Sequence, residues 1–73
     1  MSEGVRRARH RVRELREMRG WTREELAVAS GVSYPTLSRI EGGSYPSYGS
    51  LIQIADALDA TLDEVTGRAV AGT

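Results

Sequence analysis

Start and stop signals for short helices recur along this chain and leave little sequence between them for anything else. In WTREELAVASG, Thr22 stands three residues ahead of Glu25, a capping box in which each side chain satisfies the other residue's backbone N–H. Gly31 follows as a stop. Thr61 and Glu64 repeat the box before a short segment that ends at Gly67. Ser33 and Ser47 precede two further apolar-periodic runs, where a serine oxygen accepts from the first helical turn. No stretch alternates apolar and polar residues over a strand's length. These signals predict an all-α chain, a compact bundle of five short helices.

The apolar positions fit that outline. Val5, Ala8, Val12 and Leu15, extending to Met18, form one stripe on a first helix that Gly20 ends. His10 falls among arginines on the polar side of that helix. Leu26, Ala27 and Ser30 share a face of the second helix, with Trp21 turned inward just ahead of it. Leu51, Ile54, Ala55 and Leu58 mark the fourth helix, and Leu62 and Val65 the fifth. Residues 1–67 are expected to make one domain and 68–73 a flexible tail. A domain of 73 residues buries only about 60% of the surface its unfolded chain exposes, and no cysteine is present to staple it.

The third helix carries an apparent contradiction, a proline near its start in SYPTLSRIE. With Ser33 as N-cap, Pro35 is the second helical residue. The first four N–H groups of a helix have no intrahelical acceptor, so the missing donor costs nothing and the fixed φ suits the first turn. Ser33 must then cap the N–H of Thr36. At 100° per residue, Thr36, Leu37 and Ile40 cluster on one side. Tyr34, Pro35, Ser38 and Arg39 lie opposite, and these are groups suited to base edges, thymine methyls and phosphates.

Net charge is zero, but its distribution is not even. Residues 1–23 hold eight Arg against three acids, and residues 24–73 hold two Arg against seven acids. All ten basic residues are Arg, whose planar fork matches phosphate. Zinc chemistry lacks ligands, His10 has no second His or Cys beside it, and no local nucleophile–base arrangement appears, so neither an enzyme nor a metal or cofactor site is expected. No apolar run approaches the roughly 20 residues of a membrane span, and no signal-peptide core is present. A cytoplasmic, nucleoid-associated location is expected.

The stretches VRELREMRGWTREELAVASGVSYPTLSRIEGG and PSYGSLIQIADALDATLDEV resemble the phage-repressor-like (Cro-type, XRE) helix-turn-helix family over residues 12–66. The resemblance implies a lambda-repressor-like DNA-binding domain, bacterial or phage in type, whose third helix, about 34–41, lies in the major groove. The matching base-reading positions are Tyr34, Pro35 and Arg39, with Thr36 and Ser38 beside them. It further implies phosphate contacts from Thr22 and Arg23 and an ion pair between Arg16 and Glu41. The family often has Gln at the position of Arg23, and the added charge favours phosphate over pairing with a nearby Glu. Ser33, Ser44 and Tyr45 complete the candidate DNA-binding set, although the loop after the third helix lacks the usual basic residue. Arg6, Arg7 and Arg9 are either an arm toward the DNA backbone or a solvated face. The implied function is transcription regulation by a homodimer on a two-fold-related operator, with recognition helices about 34 Å apart. A protein-interaction module, or an antitoxin acting through a protein partner, is the alternative.

Overall fold

A computed structural model describes residues 10–67. Five helices follow in order: α1 (Val12–Met18), α2 (Arg23–Ser30), α3 (Tyr34–Glu41), α4 (Tyr48–Ala57) and α5 (Leu62–Thr66). No strand occurs among the described residues. The expected all-α, five-helix architecture is the one observed.

The caps explain where the helices begin. Thr22 Oγ1 accepts from Glu25 N at 3.1 Å, and Thr22 N donates to Glu25 Oε1 at 2.7 Å. Thr61 and Glu64 repeat the exchange at 3.0 and 2.8 Å. Ser47 caps α4 through Ser50 N at 3.2 Å, and Ser33 caps α3 through Thr36 N at 3.4 Å. Each cap satisfies a donor with no intrahelical acceptor, worth about 1 kcal/mol. Gly31 ends α2 in the left-handed region at φ 80°, which lets α3 turn back across α2 without a Cβ penalty. The α4–α5 turn uses Asp59 at φ 54° for the same purpose, one of the few side chains that tolerate it.

Each helix contributes one side chain with no exposed surface: Val12, Leu26, Leu37, Ile54 and Val65. Val32, Ile40, Leu51, Ala55 and Leu58 complete the core, with Leu15, Trp21, Ala27 and Leu62 packed against it. Full burial of each large side chain stabilises by about 1.5–3 kcal/mol. Such a small core has no redundancy, and truncating Leu37 to Ala would remove about 2–5 kcal/mol.

Two expectations fail at the first helix. Met18 does not extend the stripe; it is 71% exposed. The inward residue of that last turn is Arg16, drawn in by Glu41 across the bundle. His10 is not on a polar helix face. It precedes α1, is 7% exposed, and lies edge-on to Tyr45 with ring centroids 5.8 Å apart. The helical wheel misplaced it because residue 10 is not helical. Val5 and Ala8, the Arg6, Arg7 and Arg9 arm, and the 68–73 tail lie outside the described residues.

Two tethers close the bundle. Arg11 N donates to Val65 O at 2.6 Å, joining the start of α1 to α5. Arg19 Nε and Nη2 donate to Leu58 O at 3.1 and 2.8 Å, satisfying a carbonyl at the end of α4 with a cation. The Arg19 guanidinium also lies 5.3 Å from the Trp21 ring centroid, a cation–π contact.

Candidate nucleic-acid interface

α3 begins as the sequence predicts. Ser33 has extended backbone and Pro35 sits in the first turn. Leu37 and Ile40 fix the inner face in the core, which forces Tyr34, Pro35 and Arg39 outward. Ser38 and Thr36 are half-buried at the edges. Thr36 bridges its neighbours, with Ser33 Oγ at 2.9 Å and Arg39 Nη2 donating to its hydroxyl at 3.4 Å. The Arg39 guanidinium is exposed, and among the described residues no carboxylate lies within ion-pair distance of it. No acidic residue occupies the first turn of α3.

Beneath this face lies a buried charge cluster. Arg16 Nε and Nη2 donate to Glu41 Oε2 and Oε1 at 2.7 and 2.9 Å, a bidentate fork. The two side chains are only 10% and 1% exposed. Arg16 Nη1 also donates to Trp21 O at 2.7 Å. The expected pair between the first and third helices is therefore present and buried. It fixes the C-terminal end of α3 against α1 and the approach to α2. Burial pushes the Glu41 carboxyl up, but the Arg16 hydrogen bonds and the charges of Arg16 and Arg23 outweigh it and hold it below the ordinary carboxylate range. Hydrogen bonding to Glu41 raises Arg16 further, against the opposing effect of burial.

In the free protein Arg23 is engaged within the bundle. Its Nε donates to Glu41 Oε1 at 3.3 Å and its Nη1 to Ser38 Oγ at 3.3 Å. Its guanidinium lies 5.6 Å from the Tyr34 ring centroid. Pairing with a glutamate, the reading weighed second from the sequence, is the one the free protein adopts. The physical reason is Glu41, whose oxygens at the α2–α3 crossing offer a second cation a partner. The α2 N-terminus is also less open to anions than its position suggests. Thr22 Oγ1 and N are spent on the capping box, and Glu24 and Glu25 already place negative charge in the first turn.

Ser44 and Tyr45 are exposed in the loop after α3. Ser44 N donates to Arg39 O at 3.0 Å, and His10 Nε2 lies 3.4 Å from Ser44 O. The structure thus brings Tyr34, Pro35, Ser38 and Arg39 onto one face with Arg23 at its edge. Sequence reasoning missed the buried His10 behind the loop and the Arg19 clasp on α4. Neither has a spacing signal, because both depend on where the turns send the chain.

A family model described as "Helix-turn-helix" matches residues 12–65. An uncharacterized HTH-type transcriptional regulator of Bacillus subtilis (strain 168), YazB, is 38% identical over 56 residues, covering 75% of this chain and 81% of the relative. The HTH-type transcriptional regulator AnsR of the same organism is 36% identical over 59 residues, covering 80% of this chain. The chain spans about half of AnsR, 51% of its length. No solved structure matches the chain significantly. With a family match across most of its length and two such relatives, the chain belongs to the XRE-type helix-turn-helix family of transcriptional regulators.

Proposed function

We propose that this DNA-binding transcriptional regulator lays α3 in the major groove of duplex DNA and reads base edges with Tyr34, Pro35, Ser38 and Arg39. Thr36 positions Arg39 from the side, and Ser33 holds the leading turn. Thr22 and the N–H groups of α2 that its capping box leaves unpaired face one phosphate strand, with Ser44 and Tyr45 beside the groove after α3. The observation that carries this reading is the outer face of α3, which exposes a guanidinium with no carboxylate partner among the described residues and no acid in its first turn. An exposed arginine there can donate both arms to guanine O6 and N7.

The protein acts as a homodimer on a two-fold-related site in the cytoplasm, on nucleoid DNA. One module buries too little surface for high specificity alone, which is the reason for the dimer. The exposed Tyr48 and Ile52 on α4 are available apolar groups for it. No described helix is long and apolar enough to cross a membrane.

Selection from a pool of randomised duplexes tests the reading. Enrichment of a two-fold-related motif, bound more tightly than random duplex at the same salt, is the expected result. Failure to enrich any motif, with no duplex binding even in dilute buffer, would leave the interaction-module reading in its place. Sedimentation with and without the selected duplex checks the dimer, and one protomer per site would overturn it.

A further inference from the structure

We infer that Arg23 is a positioning residue for base reading, which fixes the Tyr34 ring and the Ser38 hydroxyl and so sets which base pairs are preferred rather than how firmly the phosphate backbone is held. The inference rests on the DNA-binding reading above.

The guanidinium has three partners at once. Glu41 Oε1 accepts from Nε, Ser38 Oγ accepts from Nη1, and the Tyr34 ring lies beneath the plane. A rigid planar fork can hold these together because its donors point in fixed directions. Swinging outward to a phosphate would break all three contacts for one. Arg23 also shares the Glu41 carboxylate with Arg16, which holds its Nε toward the bundle. Arg39, by contrast, has no such partner among the described residues.

The contact with Ser38 has a chemical consequence. A serine hydroxyl has one O–H to give and two lone pairs to receive. Here one lone pair is engaged by Arg23, which fixes the place of the hydroxyl and leaves its O–H and second lone pair for the groove. A hydroxyl held at one place meets one base edge at one register, where a free rotor would meet several. Arg23 therefore sets where Ser38 meets the base it faces, without itself touching that base.

The arrangement also makes the test clean. Glu41 keeps both fork bonds from Arg16 when Arg23 is removed, so the buried carboxylate is not orphaned and the fold is retained. Arg23→Met keeps the aliphatic stem and removes the fork. Arg23→Lys keeps the charge and loses the planar geometry. Duplex selection and affinity against salt are measured for the wild type and both variants, and for Ser38→Ala with and without Arg23→Met. Thermal melts confirm folding.

The expected result has three parts. One motif column loses its base preference in both Arg23 variants, and the ratio of selected to random affinity falls on the order of tenfold. The salt slope stays at the wild-type value. Ser38→Ala removes the same column preference and makes Arg23→Met silent there. An equal loss on every duplex, a slope shallower by about 0.9, and recovery in Arg23→Lys with an unaltered motif would identify a phosphate clamp and overturn the inference alone. Unchanged motif and affinity in both variants would overturn it as well. Absence of duplex binding by the wild-type chain would overturn the underlying function together with it.

Discussion

The α2–α3 corner and the α4–α5 corner are made with the same local devices and finish with different surfaces. A Thr–Glu capping box opens α2 and another opens α5, and each of these helices ends on a left-handed glycine. Both corners bury leucine, isoleucine or valine in one shared core. Yet α3 exposes Tyr34, Pro35 and Arg39, whereas α4 and α5, with the turn between them, expose Asp56, Asp59, Asp63 and Glu64. The buried Arg16–Glu41 pair, with half-buried Arg23 beside it, lies under the first corner. Caps and core decide where helices lie. What distinguishes the face proposed for DNA from the acidic one is the charge left outside that framework, and the charge held beneath to keep it in place.

The largest expected effect tests the buried side of this contrast. Glu41→Ala leaves Arg16 buried without its partner, which costs about 3–5 kcal/mol, a large share of the roughly 5–15 kcal/mol that holds a native domain. Glu64→Ala at the other corner removes one capping-box partner from an exposed surface and costs about 1 kcal/mol or less. Denaturant melts of both variants decide it, and equal losses would erase the difference between the corners. The same carboxylate sets an acid dependence. Its folded value lies below its ordinary one, so its contribution is full above the ordinary glutamate value of about 4.3. That contribution is lost as pH falls through the lower folded value. The stability gap between wild type and Glu41→Ala should therefore narrow only in that acid window. Glu14, held down by its hydrogen bond to Arg11, titrates there too, so the difference between the proteins isolates Glu41.

Much of this contrast is legible in the sequence alone. The capping boxes, the serine caps, the first-turn role of Pro35 and the apolar positions of α2 to α5 are local, and local rules found them. The Arg16–Glu41 pair came from the family resemblance, since residues 25 apart in sequence carry no spacing signal. Met18 and His10 were misplaced because the wheel assumes one unbroken helix and cannot see that Arg16 turns inward to meet a charge. Arg23 is the informative case. Its position at a helix N-terminus suggests phosphate, but in the free protein it pairs with a carboxylate that arrives from another helix.

Arg39→Ala comes next in size and tests the exposed side. The Arg39 side chain is exposed and bonds to Thr36 on the same surface, so stability should change by less than about 0.5 kcal/mol. Discrimination at one or two base pairs should fall by about 1–3 kcal/mol, read as a broadened motif in duplex selection. A uniform loss on all sequences would make Arg39 a phosphate contact and leave base reading to Tyr34 and Ser38.

Thr22→Ala and Thr61→Ala probe the shared devices. Each removes the oxygen that accepts from the third helical N–H, so each should cost about 1 kcal/mol of stability. Similar melting shifts with unlike effects on duplex affinity would sharpen the separation of framework from surface. A much larger loss at Thr61 would mean that α5, only five residues long, depends on its cap more than the α2 corner does.

The smallest effect is expected at Asp63→Asn, and its smallness is the point. Asp63 is exposed on α5 with no ion-pair partner among the described residues, so neutralising it should leave stability within about 0.5 kcal/mol. If α5 faces away from the duplex, the lost repulsion acts only through solvent and is screened beyond about 8 Å at physiological salt. Affinity should then rise slightly in dilute buffer and match wild type near physiological ionic strength, with the motif unchanged. A gain that persists at high salt would place the acidic corner against the phosphates, and the two corners would then share one interface. An unchanged affinity at every salt would instead set α5 farther from the DNA than any unscreened field reaches. In either case the salt axis, not the size of the change, locates the charge, because only a contact made at close range survives when counterions are abundant.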